Sequence, residues 1–171
     1  MEPMSTSKII LDRDQLARTV AAAHEAGRTV VLANGCFDLM HVGHVRYLQG
    51  ARAEGDELLV AVNNDASVRR LKGPGRPLQP AIERAELIAA LECVTYVTVF
   101  SEPTVDDLIR AVRPDVQAKG TDYTAESVPE GATIRALGGR VAIVGDPKDH
   151  STTGLLERLG PADNDRDDDE E

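Results

Sequence analysis

Apolar residues in this chain follow two rhythms. Five short segments, residues 29–34, 57–63, 96–100, 115–120 and 140–145, hold runs of Val, Leu, Ile and Ala, as strands covered on both faces do. Between them the spacing turns helical. Leu16, Val20 and Ala23 follow a cap at Asp12 and stop at Gly27, and Val45, Leu48 and Ala51 make a second apolar stripe. A short helix is expected over 67–73 and a longer one over 81–93, faced by Ile82, Ala85, Ile88 and Leu91. Another opens at Pro103 and ends at Arg113-Pro114, a short one closes over 135–138, and a last one runs from a cap at 151–153 to Leu159. Strands alternating with helices five times predict a single-domain α/β fold with a doubly wound parallel sheet of about five strands. Right-handed connections would gather the strand ends Asn34, Asn63, Phe100, Gly120 and Gly145 around one crevice.

Composition adjusts this picture at the ends. The chain has 171 residues, 42% of them hydrophobic, enough for one core, yet only two Phe, three Tyr and no Trp, so the core must be aliphatic. Of the net charge of −10, residues 161–171 carry −6, leaving −4 for the other 160. A run of like charge without apolar residues cannot bury enough surface to order itself. Expected boundaries are therefore a disordered start over 1–7, one domain over 8–160 and a disordered acidic tail over 161–171. Cys36 and Cys93 form neither a CxxC nor a disulfide framework, and the N-terminus has no apolar signal region. No run reaches the roughly 18 residues of a membrane span. These features predict a cytoplasmic protein that does not engage a membrane, and the acidic balance argues against nucleic acid as a partner.

Candidate chemistry collects after the first strand, in Asn34-Gly35-Cys36-Phe37-Asp38-Leu39-Met40-His41-Val42-Gly43-His44. It reads as strand, turn, helix, and a helix start at the carboxyl end of a parallel strand is an anion site. His41 and His44, at i and i+3, share one side of the first turn, and Gly43 has no side chain to block an approaching ligand. A structural role for one ring is an alternative; zinc would need a third ligand at suitable spacing, which the vicinity does not offer. The loop 73–80, with three prolines and two glycines, is an irregular surface segment able to close over a ligand, and Lys72 and Arg76 on it are either phosphate clamps or solvated charges. Lys119-Gly120-Thr121-Asp122-Tyr123 puts a cation, a glycine and an acid at a strand end. Ser151-Thr152-Thr153 can cap a helix or bind phosphate. Asp38 reads as a turn acid or a substrate contact, and Arg84 as a crevice residue or a surface partner of Glu83 or Glu86.

The run Asn34 to His44 resembles the signature of the HxGH nucleotidyltransferases, and within them is most similar to the heptose 1-phosphate adenylyltransferases. Asn63-Asn64-Asp65 with Lys72-Gly73 and Arg76-Pro77-Leu78, then Arg113-Pro114-Asp115, Lys119 to Tyr123, Gly138-Gly139-Arg140-Val141 and Ser151-Thr152-Thr153 extend the likeness from about Lys8 to Leu159. Two departures stand out: Thr121 replaces a usual second glycine, and 145–150 replaces an aromatic and acidic segment that usually ends in glycine. The family's sugar-kinase domain, often fused ahead, is also not seen, which implies that heptose 1-phosphate comes from a separate kinase.

The resemblance implies a Rossmann-like nucleotidyltransferase fold and transfer of AMP from ATP to D-glycero-β-D-manno-heptose 1-phosphate, releasing pyrophosphate. It implies His41, His44 and Lys72 as catalytic residues. Asn34, Gly35, Cys36, Phe37, Gly43, Lys119, Gly120, Asp122, Ser151, Thr152 and Thr153 would surround the nucleotide, and Asp38, Asn63 and Arg76 the acceptor. No protein metal site is implied; Mg²⁺ would ride on the triphosphate. A homodimer is the implied assembly. Competing readings are a CTP-dependent cytidylyltransferase acting on glycerol 3-phosphate or a similar polyol phosphate, and a nucleotide-binding sensor without turnover.

Overall fold

A computed structural model describes residues 8–147 and 150–160. The acidic tail and residues 1–7, expected to be disordered, lie outside the described residues. In chain order the elements are α1 (Arg13–Glu25), β1 (Val30–Gly35), α2 (Val42–Arg52), β2 (Glu57–Asn63), α3 (Asp65–Lys72), α4 (Ala81–Ala89), β3 (Tyr96–Phe100), α5 (Asp106–Val112), β4 (Val116–Lys119), α6 (Gly131–Ala136), β5 (Arg140–Ile143) and α7 (Thr152–Leu159). All five strands join one parallel sheet in the order β3-β2-β1-β4-β5. That is the doubly wound, Rossmann-like α/β arrangement.

The apolar runs are continuous because both sheet faces are covered. On one face Val31, Ala33, Leu58, Val60 and Val62 pack with Leu48 and Ala51 of α2 and Ala85 and Ile88 of α4. On the other, Val30, Leu32, Leu59 and Ala61 meet Leu16, Val20 and Ala23 of α1, Leu108, Ile109 and Val112 of α5, and Ile134 of α6. Alternate residues of each central strand thus serve opposite layers, as a two-residue period requires. Helix α1 follows its sequence cue, Asp12 accepting from the Gln15 N–H at 2.7 Å, whereas α3 begins at Asp65 rather than at 67 because Asn64 caps it by accepting the Ser67 N–H at 2.9 Å. Helix α5 stops where Arg113 takes the left-handed conformation (φ 53°) ahead of Pro114. Two helices are shorter than their sequence periodicity suggests. α4 ends at Ala89 rather than Cys93, and α5 begins at Asp106 rather than Pro103.

Strand order decides where a ligand fits. The chain winds from β1 outward through β2 to β3, then crosses to β4 on the other side of β1. Helices leaving β1 and β4 diverge there, opening a crevice beyond their carboxyl ends. Gly120 and Gly145 border that crevice, as expected; Asn34, Asn63 and Phe100 do not. Phe100 ends the outermost strand and is buried in the core, and the buried Arg84 fills the space beyond β2.

Candidate active site

At the switch between β1 and β4 lies a cleft of about 330 Å³, within the usual range for small-molecule sites. Its floor is the turn from β1 to α2, where two non-glycine residues, Phe37 (φ 49°) and Leu39 (φ 56°), hold left-handed backbone. Such conformations cost of order 1–3 kcal/mol each and persist only where their surroundings enforce them. The surroundings here are named contacts. Buried Phe37 lies edge-on to His44 at 5.4 Å between ring centroids and stacks on Tyr47 at 6.5 Å. Thr152 donates its hydroxyl to the Asp38 and Leu39 carbonyls at 2.7 and 3.2 Å.

The histidine pair is built into the start of α2. His41 is the N-cap, and its Nδ1 accepts the Gly43 N–H at 3.1 Å, while His44 Nδ1 accepts the His41 N–H at 3.3 Å. Only an unprotonated Nδ1 can accept an N–H, so each neutral ring carries its proton on Nε2. The rings stack with centroids 3.8 Å apart and both line the cleft. Gly43 is required between them. A Cβ there would come within 2.9 Å of the His41 ring.

Asp38 and Arg76, both expected at the acceptor, meet each other. The Asp38 carboxylate accepts from Arg76 Nε at 2.7 Å and from the backbone N–H groups of Leu78 and Gln79. Burial pushes its carboxyl up, but the Leu78 N–H, the Arg76 guanidinium and the Gln79 N–H outweigh it and leave it below the ordinary carboxylate value. Asp38 is therefore the latch of loop 73–80, which carries Arg76 to the cleft wall opposite α7; Lys72, exposed at the end of α3, joins it there.

Of the other sequence candidates, Cys36, Gly120, Asp122, Ser151, Thr152 and Thr153 line the cleft. Burial pushes the Cys36 thiol up against the pull of Lys72 and Arg84, which leaves it protonated at neutral pH and unsuited as a nucleophile. Ser151 caps α7 by accepting the Gly154 N–H at 2.9 Å. Four candidates do not line the cleft. Asn34 turns aside to accept from Gln117 at 2.9 Å, and Lys119 is buried against Glu130 at 3.2 Å. Gly35 sits against the Phe37 ring, and Asn63 accepts the Cys36 thiol from behind. These four support the floor instead of forming it.

Sequence reasoning left Arg84 between two places, and it occupies neither. Fully buried, it donates to the carbonyls of Cys36 (2.6 Å), Asn63 (2.8 Å) and Gln79 (2.9 Å) and to the Asp65 carboxylate (2.8 Å). One guanidinium thus ties the ends of β1 and β2 to the end of the latched loop. Thr121, and Asp146 and His150 of the segment that departs from the family pattern, lie on the cleft wall without having been given individual roles from sequence, and Tyr47 was missed. Tyr47 was visible only as a helix residue: its hydroxyl donates to the Ala118 carbonyl at 2.8 Å, and burial pushes its pKa up, so it remains a donor. Asp146 is held by Arg46 at 2.9 Å.

Two helix starts, two stacked imidazoles, a lysine and an arginine around a switch-point cleft make a site of the α/β class suited to an anionic ligand. The chain belongs to the cytidylyltransferase-like family, whose profile matches residues 32–157. It is similar to the bifunctional protein HldE of Syntrophotalea carbinolica, 50% identical over 153 residues that cover 90% of this chain and 31% of that protein. The bifunctional protein HldE of Azotobacter vinelandii is 46% identical over 150 residues, covering 88% of this chain and 32% of that one. The chain thus spans about a third of the length of the curated relatives it matches. Among solved structures, the lipopolysaccharide core biosynthesis protein from Thermoplasma volcanium superposes with a TM-score of 0.62 at 28% identity, over 71% of this chain and 99% of that one.

Proposed function

We propose that this domain transfers AMP from ATP to D-glycero-β-D-manno-heptose 1-phosphate, giving ADP-heptose and pyrophosphate. The observation that carries the reading is the stacked histidine pair, whose backbone caps leave both ring protons on Nε2. The heptose acceptor is supported by the resemblance in sequence and by the naming of the Thermoplasma neighbour for lipopolysaccharide core biosynthesis.

The chemistry needs little beyond positioning. An oxygen of the sugar 1-phosphate attacks the α-phosphorus, the bond from that phosphorus to the β-bridging oxygen breaks, and pyrophosphate leaves in line. A phosphate monoester is mostly dianionic at pH 7, with a second pKa of about 6, so no general base is required. His41 and His44 donate to α- and β-phosphate oxygens, where charge builds in the transition state. Lys72 and Arg76 hold the two phosphorylated reactants together from the loop side, and Ser151 and Thr153 at the start of α7 engage the outer phosphates. Among the described residues no cluster of three or more His, Cys, Asp or Glu is placed to hold a metal. Asp38 and Asp146 are engaged by Arg76 and Arg46. That donor set suits Mg²⁺ carried on the triphosphate with its own waters, where it neutralises phosphate charge.

No helix among the described residues is long and apolar enough to cross a membrane. The test is a product assay with ATP, CTP or GTP, each against heptose 1-phosphate and glycerol 3-phosphate. ADP-heptose and pyrophosphate in equal amounts are expected from one pairing. Preferred turnover of CTP with glycerol 3-phosphate would favour the cytidylyl reading, and tight ATP binding with no pyrophosphate from any pairing would favour a sensor.

A further inference from the structure

We propose that His150 is a third imidazole on the nucleotide, donating to its terminal phosphates from the α7 side of the cleft; this rests on the reading that the cleft holds a nucleoside triphosphate. His150 lines the cleft together with His41 and His44. The root of its side chain sits against the start of α2, since a Cβ on Gly43 would lie 3.3 Å from the His150 Cβ. It immediately precedes Ser151, the cap of α7, so the ring is carried at the joint where two helix N-termini meet. Both helix starts bring partial positive charge to that joint. His150 is exposed, so no packing demand in the fold accounts for its place on the cleft wall.

One of the hydroxyl groups beside it, that of Thr152, is committed to the fold, and the imidazole adds a donor to those of Ser151 and Thr153. Thr152 spends its proton on the Asp38 and Leu39 carbonyls, and the Ser151 oxygen accepts the Gly154 N–H. Ser151 keeps its own O–H as a donor, and the ring at position 150 stands beside it on the same wall. Among the described acids lining the cleft, Asp146 is paired with Arg46 and Asp122 follows β4. With His41 and His44 on the inner phosphates, a ring at position 150 meets the phosphates that leave as pyrophosphate. It is a binding residue for the leaving group.

The experiment is calorimetric binding of pyrophosphate and of AMP, each with magnesium, to the full chain, its His150→Ala variant and its His150→Gln variant. His150→Ala is expected to weaken pyrophosphate binding about tenfold, the loss of one hydrogen bond to a charged group, and to leave AMP binding within about twofold. His150→Gln, which keeps an N–H donor, should recover most of that loss. Pyrophosphate binding unchanged within about twofold in His150→Ala would overturn the proposal, as would an equal loss for AMP, the sign of a reshaped pocket. Neither measurement requires turnover. A wild-type chain that binds pyrophosphate through His150 yet makes no ADP-heptose would sink the transfer reaction and leave this inference standing.

Discussion

An imidazole that caps a helix through Nδ1 has its tautomer set by the backbone, and His41 and His44 do this for each other's turn of α2. The arrangement is sensitive to a single methyl group. In Gly43→Ala the new Cβ would meet the His41 ring at 2.9 Å, so the ring must leave its cap. A displacement of about 1 Å can lower turnover by about 10²-fold. Steady-state rates should show that loss while thermal melting stays close to wild type, because alanine suits a helix better than glycine; unchanged turnover would mean the rings tolerate the shift. The histidine spacing was legible because i and i+3 share a helix face. His150 was not, since a lone histidine in an irregular segment has no periodicity, and only the fold brings it to Gly43. Asp38 was half legible: a turn acid by position, but its partner Arg76 stands 38 residues away.

Loops and helices around the cleft depend on two buried charge arrangements. The Asp38 latch on loop 73–80 has a definite pH signature. Its carboxyl lies below its ordinary value of 3.8 in the folded chain, so the unfolded chain binds more protons near that pH. The stability it contributes is full above the unfolded value of about 3.9 and fades as pH falls through the lower folded value. The melting-temperature gap between wild type and Asp38→Asn should therefore be constant from about pH 5 to 8 and close below about pH 4. A gap that closes near neutrality would contradict the latch. Arg84 joins β1, β2 and the end of that loop through four partners. Removing it in Arg84→Met leaves buried carbonyls without donors, and urea unfolding should register a loss of roughly 3–5 kcal/mol. A loss under about 1 kcal/mol would show that water or a neighbour replaces it. Helix periodicity located α4 but could not tell which of its polar residues turns inward, because that depends on strand ends distant in sequence.

At the scale of the whole molecule, the five aliphatic runs and the helices between them were enough to specify a doubly wound sheet, since strands buried on both faces admit few other arrangements. Strand order was not readable, and with it went the width of the crevice: the ends of β2 and β3 were expected on it, whereas the reversal at β1 and β4 confines it to that side. The resemblance further implies a dimer. Sedimentation equilibrium should return twice the 18.4 kDa chain mass, and a single-chain mass at assay concentrations would contradict it. The proposed transfer rests on the two stacked imidazoles donating to a triphosphate, and replacing His44 by alanine probes that role most directly. With ATP and heptose 1-phosphate, pyrophosphate release by His44→Ala should fall about 10²- to 10³-fold with the fold intact, the loss of one transition-state donor; near-normal release from a folded variant would contradict the account.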